Sequence, residues 1–145
     1  MIKYLIMSTL VLFTISAPDS LSAYNQKHDK LELGNQHAKQ GNYSQALQSL
    51  NQAIAENPVN PRAYKIRGHI FYAMGDYANA LTDLDHVVAL VHDSANALVD
   101  RAIVYSVMGK HGLALADVER ALALKPTSTF AQAVRDEILN RAKTF

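Results

Sequence analysis

Three groups of side chains in this sequence have types suited to chemistry. The first is histidine, at His28, His37, His69, His86, His92 and His111. Imidazoles hold transition metals and move protons near neutral pH, but a metal site gathers several ligands, often at i, i+3 or i+4 on a helix or in an HExxH motif. No histidine pair here has that spacing and no HExxH occurs. His86 and His92, near Asp83, Asp85 and Asp93, come closest, and they read as a solvated helix face. The second group is a recurring pair: Arg67 precedes Asp83, and Arg101 precedes Asp117, by the same 16 residues. The third is Arg62, Lys65, His69 and Tyr72, at i, i+3, i+7 and i+10, which share one stripe of a helix. No acid occurs between Pro61 and Asp76, so this stripe reads as positive and aromatic-tipped, suited to recognising an acidic group.

Other chemistries find no residues. The chain has no cysteine, which closes disulfides, zinc–thiolate sites, thiol nucleophiles and lipid attachment at an N-terminal cysteine. There is no GxSxG nucleophile elbow, and the glycines belong to turns and helix packing, not to a phosphate loop. The sequence therefore assigns no catalytic residue, metal or cofactor, and the expectation is a protein that is not an enzyme. The formal net charge of +1 over 145 residues gives no basis for binding nucleic acid, which calls for a strongly basic domain.

The first 23 residues stand apart. Lys3 is followed by an almost wholly apolar run from Tyr4 to Ile15, then Pro18 and the small residues Ser20, Ser22 and Ala23. That order matches a secretory leader, whose apolar region spans about 7–15 residues, and is short for a spanning helix. The expectation is a signal peptide over 1–23, cut after Ser22 or Ala23, and a mature domain over 24–145. Periplasm or the extracellular space would then be its location, with no membrane insertion after cleavage.

The elements that must position the candidate residues follow from an internal repeat. "GNYSQAL" at 41–47, "GDYANAL" at 75–81 and "GKHGLAL" at 109–115 lie 34 residues apart. In units 27–60, 61–94 and 95–128 the same register aligns Gly34, Gly68 and Ala102; Ala46, Ala80 and Ala114; and Leu50, Leu84 and Val118. Each unit reads as two helices broken at Gly41, Gly75 or Gly109, with Pro58 and Pro126 separating units. Small residues at Gly68 and Ala80 let the two helices approach closely. Over 129–145, Phe130, Val134 and Ile138 recur at i, i+4 and i+8, predicting a terminal cap helix with one apolar face.

This phrase resembles the tetratricopeptide repeat, a 34-residue helix–turn–helix unit. The residues that carry the likeness are Gly34, Gly68 and Ala102, Phe71 and Tyr105, the three alanines 46, 80 and 114, and Pro58 and Pro126. The departures are His37 in an aromatic slot, Val87 in place of alanine and His92 in place of proline. The resemblance implies an all-α solenoid of three repeats plus the cap helix. It also implies a concave groove lined by each unit's first helix, here through Asn35 and Lys39, then Arg62, Lys65, His69 and Tyr72, then Asn96, Val99 and Ile103. Such a protein would bind a peptide or protein segment, with an acidic group and apolar side chains, as an adaptor or assembly factor. A structural subunit of an envelope complex, or a self-associating scaffold, is the alternative.

One subclass of the family grips the terminal carboxylate of chaperone tails with lysines, asparagines and an arginine at fixed groove positions. This sequence has Leu31, Asn35, Ile66, Asn96 and Asp100 there. Asn35 alone fits, so that clamp is not expected.

Overall fold

The computed structural model describes residues 20–143. Its seven helices are α1 (Ser20–Lys39), α2 (Tyr43–Glu56), α3 (Pro61–Ala73), α4 (Tyr77–Leu90), α5 (Ala95–Val107), α6 (His111–Leu124) and α7 (Thr129–Ala142). No strand occurs among the described residues. The expected leader lies outside them except for its last four positions, which open α1.

The glycine phrase ends a helix the same way three times. Gly41, Gly75 and Gly109 have φ of 76°, 78° and 73°, the left-handed region that costs glycine nothing. The following residue, Asn42, Asp76 or Lys110, donates its N–H to the carbonyl of His37, Phe71 or Tyr105 at 2.9 Å. This six-to-one bond satisfies a helix-terminal carbonyl and folds the chain back at once. The inter-unit turns work through the next helix's start instead. Asn60, Ser94 and Ser128 each accept a backbone N–H from the first turn of α3, α5 or α7. A side-chain oxygen there caps a donor the helix cannot satisfy itself. Pro61, at the first position of α3, lacks only an N–H that has no helical partner.

Packing follows the aligned small residues. Ala46, Ala80 and Ala114 are wholly buried, as are Leu50, Leu84 and Val118 one turn further on. Each such aliphatic side chain contributes about 1.5–3 kcal/mol when taken from water. At Gly34 the approach is closest: a Cβ there would lie 2.7 Å from Leu50 Cγ. Leu98, Val99, Val118, Ala131 and Ile138 join one core cluster, which fastens α7 to the third unit.

In α7 the register of the repeat continues. Ala131 matches Ala63 and Ala97, Arg135 matches Arg67 and Arg101, and Ile138 matches Ile70 and Val104. The buried face of α7 rests on Ala131 and Ile138. Phe130, expected on that face, is 59% exposed, because it shares the groove-side position of Arg62 and Asn96, both exposed. Where Leu98 and Ala102 give α5 an apolar face toward α6, α7 presents exposed Gln132 and Asp136.

Candidate functional site

Each even-numbered helix packs against odd-numbered neighbours, whereas α1 also packs on α3, and α5 on α7. The odd-numbered helices are therefore the closer-spaced layer, and the array curves around them. Their free faces line one groove. Asn35 and Lys39 lie on α1, Arg62, Lys65, His69 and Tyr72 on α3, and Asn96 and Ile103 on α5, all at least partly exposed. Val99 is different. It is 2% exposed, held in the core cluster with Ala131 and Ile138, so it supports the groove floor and offers no surface.

The expected positive strip along α3 is not positive in the folded chain. Arg62 Nη2 lies 3.1 Å from Glu32 Oε2 of α1. Lys65 Nζ and His69 Nε2 converge on Asp100 Oδ2 of α5, at 3.2 and 3.3 Å. Acids from the units on either side, about one repeat length away along the chain, compensate each cation. Lys39 is the groove cation without an ionic partner among the described residues. Burial pushes the Asp100 carboxyl up, but the imidazole and ammonium beside it outweigh burial and hold it below its ordinary value.

Two adjoining hollows of this groove share Tyr72 and Ile103 as their common wall, and a third, of about 220 Å³, lies beside Arg62 and Lys65 against Val87 and Val91 of the α4 end. Of the adjoining two, one, of about 160 Å³, is bounded by His69, Leu84, Asp100 and Val104. The other, of about 240 Å³, lies between α5 and α7, lined by Ser106, Val107, Ala133, Val134, Glu137, Ile138 and Arg141. Apart from Ser106 and the Glu137–Arg141 pair at 2.8 Å, its side chains beyond Tyr72 are aliphatic. The α7 residues of this hollow were not apparent from the sequence, although Arg135, in register with Arg67 and Arg101, marked α7 as a further groove helix.

Behind the groove, arginines lock the first helix of a unit to its second. Arg67 donates from Nε and Nη2 to Asp83 at 2.8 and 2.6 Å, and Arg101 does the same to Asp117 at 2.7 and 2.8 Å. The arginine and aspartate that recur 16 residues apart are thus bidentate ion pairs, a strong geometry. A third contact reaches back one unit: Arg67 Nη1 to Asn51 Oδ1 at 2.6 Å, and Arg101 Nη1 to Asp85 Oδ1 at 2.8 Å. Hydrogen bonding to the buried carboxylate raises both guanidinium values despite burial acting the other way. His86, one of the candidate ligands, stacks on Tyr64 with ring centroids 4.8 Å apart. Among the described residues no group of three or more His, Asp or Glu is placed to hold a metal ion.

Stacked helical hairpins of constant register, curved around a groove and closed by a single helix, define a helical-repeat solenoid. The family profile described as Tetratricopeptide repeat matches residues 31–91 and 67–129. The chain belongs to the tetratricopeptide-repeat family. No curated protein is significantly similar to it in sequence. Among solved structures, the first such domain of Spaghetti (RPAP3) bound to the HSP90 peptide SRMEEVD is similar with a TM-score of 0.75 and 26% identity, over 80% of this chain and 92% of that one. The first domain of human RPAP3 gives 0.76 and 25%, over 83% and 94%. MamA gives 0.70 and 25%, over 83% and 76%.

Proposed function

We propose that this chain is a protein-interaction module that seats a segment of another protein in the groove of α1, α3, α5 and α7, and that it is not an enzyme. The observation that carries the reading is the pair of adjoining hollows on the concave face. Their volumes fall below the roughly 300–1,000 Å³ of small-molecule pockets, and suit one or two side chains each. Peptide binding by the similar Spaghetti domain supports the same use of the groove. Its ligand class does not carry over. Leu31 is buried, Ile66 is apolar and Asp100 is an anion already engaged by Lys65 and His69, so nothing clamps a terminal carboxylate. The peptide SRMEEVD should not bind.

The apolar run after Lys3 supports export, with the module acting as an adaptor or assembly factor in the periplasm or outside the cell. A second reading, a permanently docked subunit or self-associating scaffold, draws on Leu90, Leu113 and Leu124, which are exposed on the even-numbered helices. Site-specific photo-crosslinking in the native host separates the two. A benzophenone side chain at position 72 should capture a partner that one at position 113 does not. Capture from position 113 alone would reject the groove reading and favour the docked subunit.

A further inference from the structure

Resting on that reading, we propose that the groove recognises an apolar-anchored segment whose large aliphatic or aromatic side chain enters the hollow between α5 and α7, and not a segment selected for its charge. Two observations point the same way. The larger hollow has walls of Ile103, Val107, Val134 and Ile138, closed at one end by the Tyr72 ring. Most charges along the rest of the groove are spent on one another, Glu32 with Arg62 and Asp100 with Lys65 and His69, which leaves Lys39 on α1 as the one groove cation without an ionic partner among the described residues. At the rim of the hollow, Arg141 Nε bonds Glu137 Oε1. Opposite charges closed into pairs give a weak external field, so a strongly acidic or basic segment gains little beyond what water already offers it. Burial of an apolar side chain does not depend on that field. The occupant that fits is a segment with one Leu-, Met- or Phe-sized anchor and uncharged neighbours.

Ala133 provides the handle. It lines the hollow from α7 yet is exposed, so enlarging it fills the space without entering the core. The experiment pans a phage library of random 12-residue peptides against the full-length chain, then measures the enriched peptides by fluorescence polarisation. The expected peptides share a single large apolar residue, and replacing it with alanine weakens binding about 10- to 100-fold, the worth of one buried side chain. Ala133→Phe should weaken them by a similar factor while thermal unfolding stays within a few degrees of the parent. Raising salt from about 50 to about 500 mM should change affinity less than threefold, because screening acts on exposed charge. Peptides that lose affinity in the Tyr72→Ala variant but are indifferent to Ala133→Phe and fall steeply with salt would overturn the anchor while leaving the groove reading intact. Peptides indifferent to both variants, or no enrichment at all, would overturn both.

Discussion

Replacing Arg67 with alanine would strand Asp83. That carboxylate is 1% exposed, and both its oxygens accept from the same guanidinium, at 2.6 and 2.8 Å. The same change removes the 2.6 Å bond to Asn51 and a guanidinium 5.6 Å from the Tyr64 ring centroid. Breaking one partner of a buried ion pair costs about 3–5 kcal/mol, most of it the desolvated charge left behind. A solenoid of roughly 120 ordered residues unfolds with an entropy near 0.25 kcal/mol/K, so each kcal/mol corresponds to about 4 °C. Arg67→Ala should therefore lower the melting temperature by about 12–20 °C, read by circular dichroism with a urea titration to check that the slope is unchanged. The double replacement Arg67→Ala/Asp83→Ala removes the stranded charge and should recover about 1–3 kcal/mol of the loss, the coupling expected of residues in direct contact. A single variant that melts within about 4 °C of the parent, or a double variant that simply sums the two single costs, refutes the argument.

Four further outcomes follow from the geometry. Asp85→Ala, at the half-exposed end of the Arg101 bridge, should cost no more than about 1 kcal/mol by urea denaturation, because solvent screens a carboxylate that exposed. Gly34→Ala should destabilise by up to about 2 kcal/mol through the 2.7 Å approach to Leu50, overpacking outweighing the helix propensity that alanine gains. Gly112→Ala meets nothing within 4 Å, so calorimetry should show stabilisation of about 0.5 kcal/mol. The Asp100 carboxyl is held below its unfolded value of about 3.9, so its contribution is present above that value and is lost as pH falls through the folded one. Urea midpoints at about pH 5 and about pH 3 should therefore differ less in Asp100→Asn than in the parent.

Much of the solenoid can be read in the sequence because its rules are local. The turn glycines, the small residues where helices cross, and the arginine–aspartate recurrence each repeat at 34, and one unit interprets the next. The groove's electrostatics were hidden for the opposite reason. A window over α3 holds three cations and no acid, yet Glu32 and Asp100 arrive from the flanking units and reach Arg62 and Lys65 only after stacking. Val99 shows the same limit. Its position faces a groove in the family pattern, but here α7 closes over it, and only packing of a helix one unit later decides that. The third bond of each arginine could have been found: Asn51, Asp85 and Glu119 recur at 34, each 16 residues before Arg67, Arg101 or Arg135.

The backward reach of those arginines gives the array a direction. Unit one has Leu33 and Ser49 where the later units have arginine and aspartate, and its second helix is tied through Asn51 to a guanidinium belonging to α3. The first hairpin of the array thus lacks the internal arginine–aspartate lock of the later two; beside its own Lys30–Glu56 pair it gains a further tie from the hairpin that follows it. Amide protons of α1 and α2 should exchange with solvent ahead of those in α5 and α6, and the fold should unravel from its beginning toward its end.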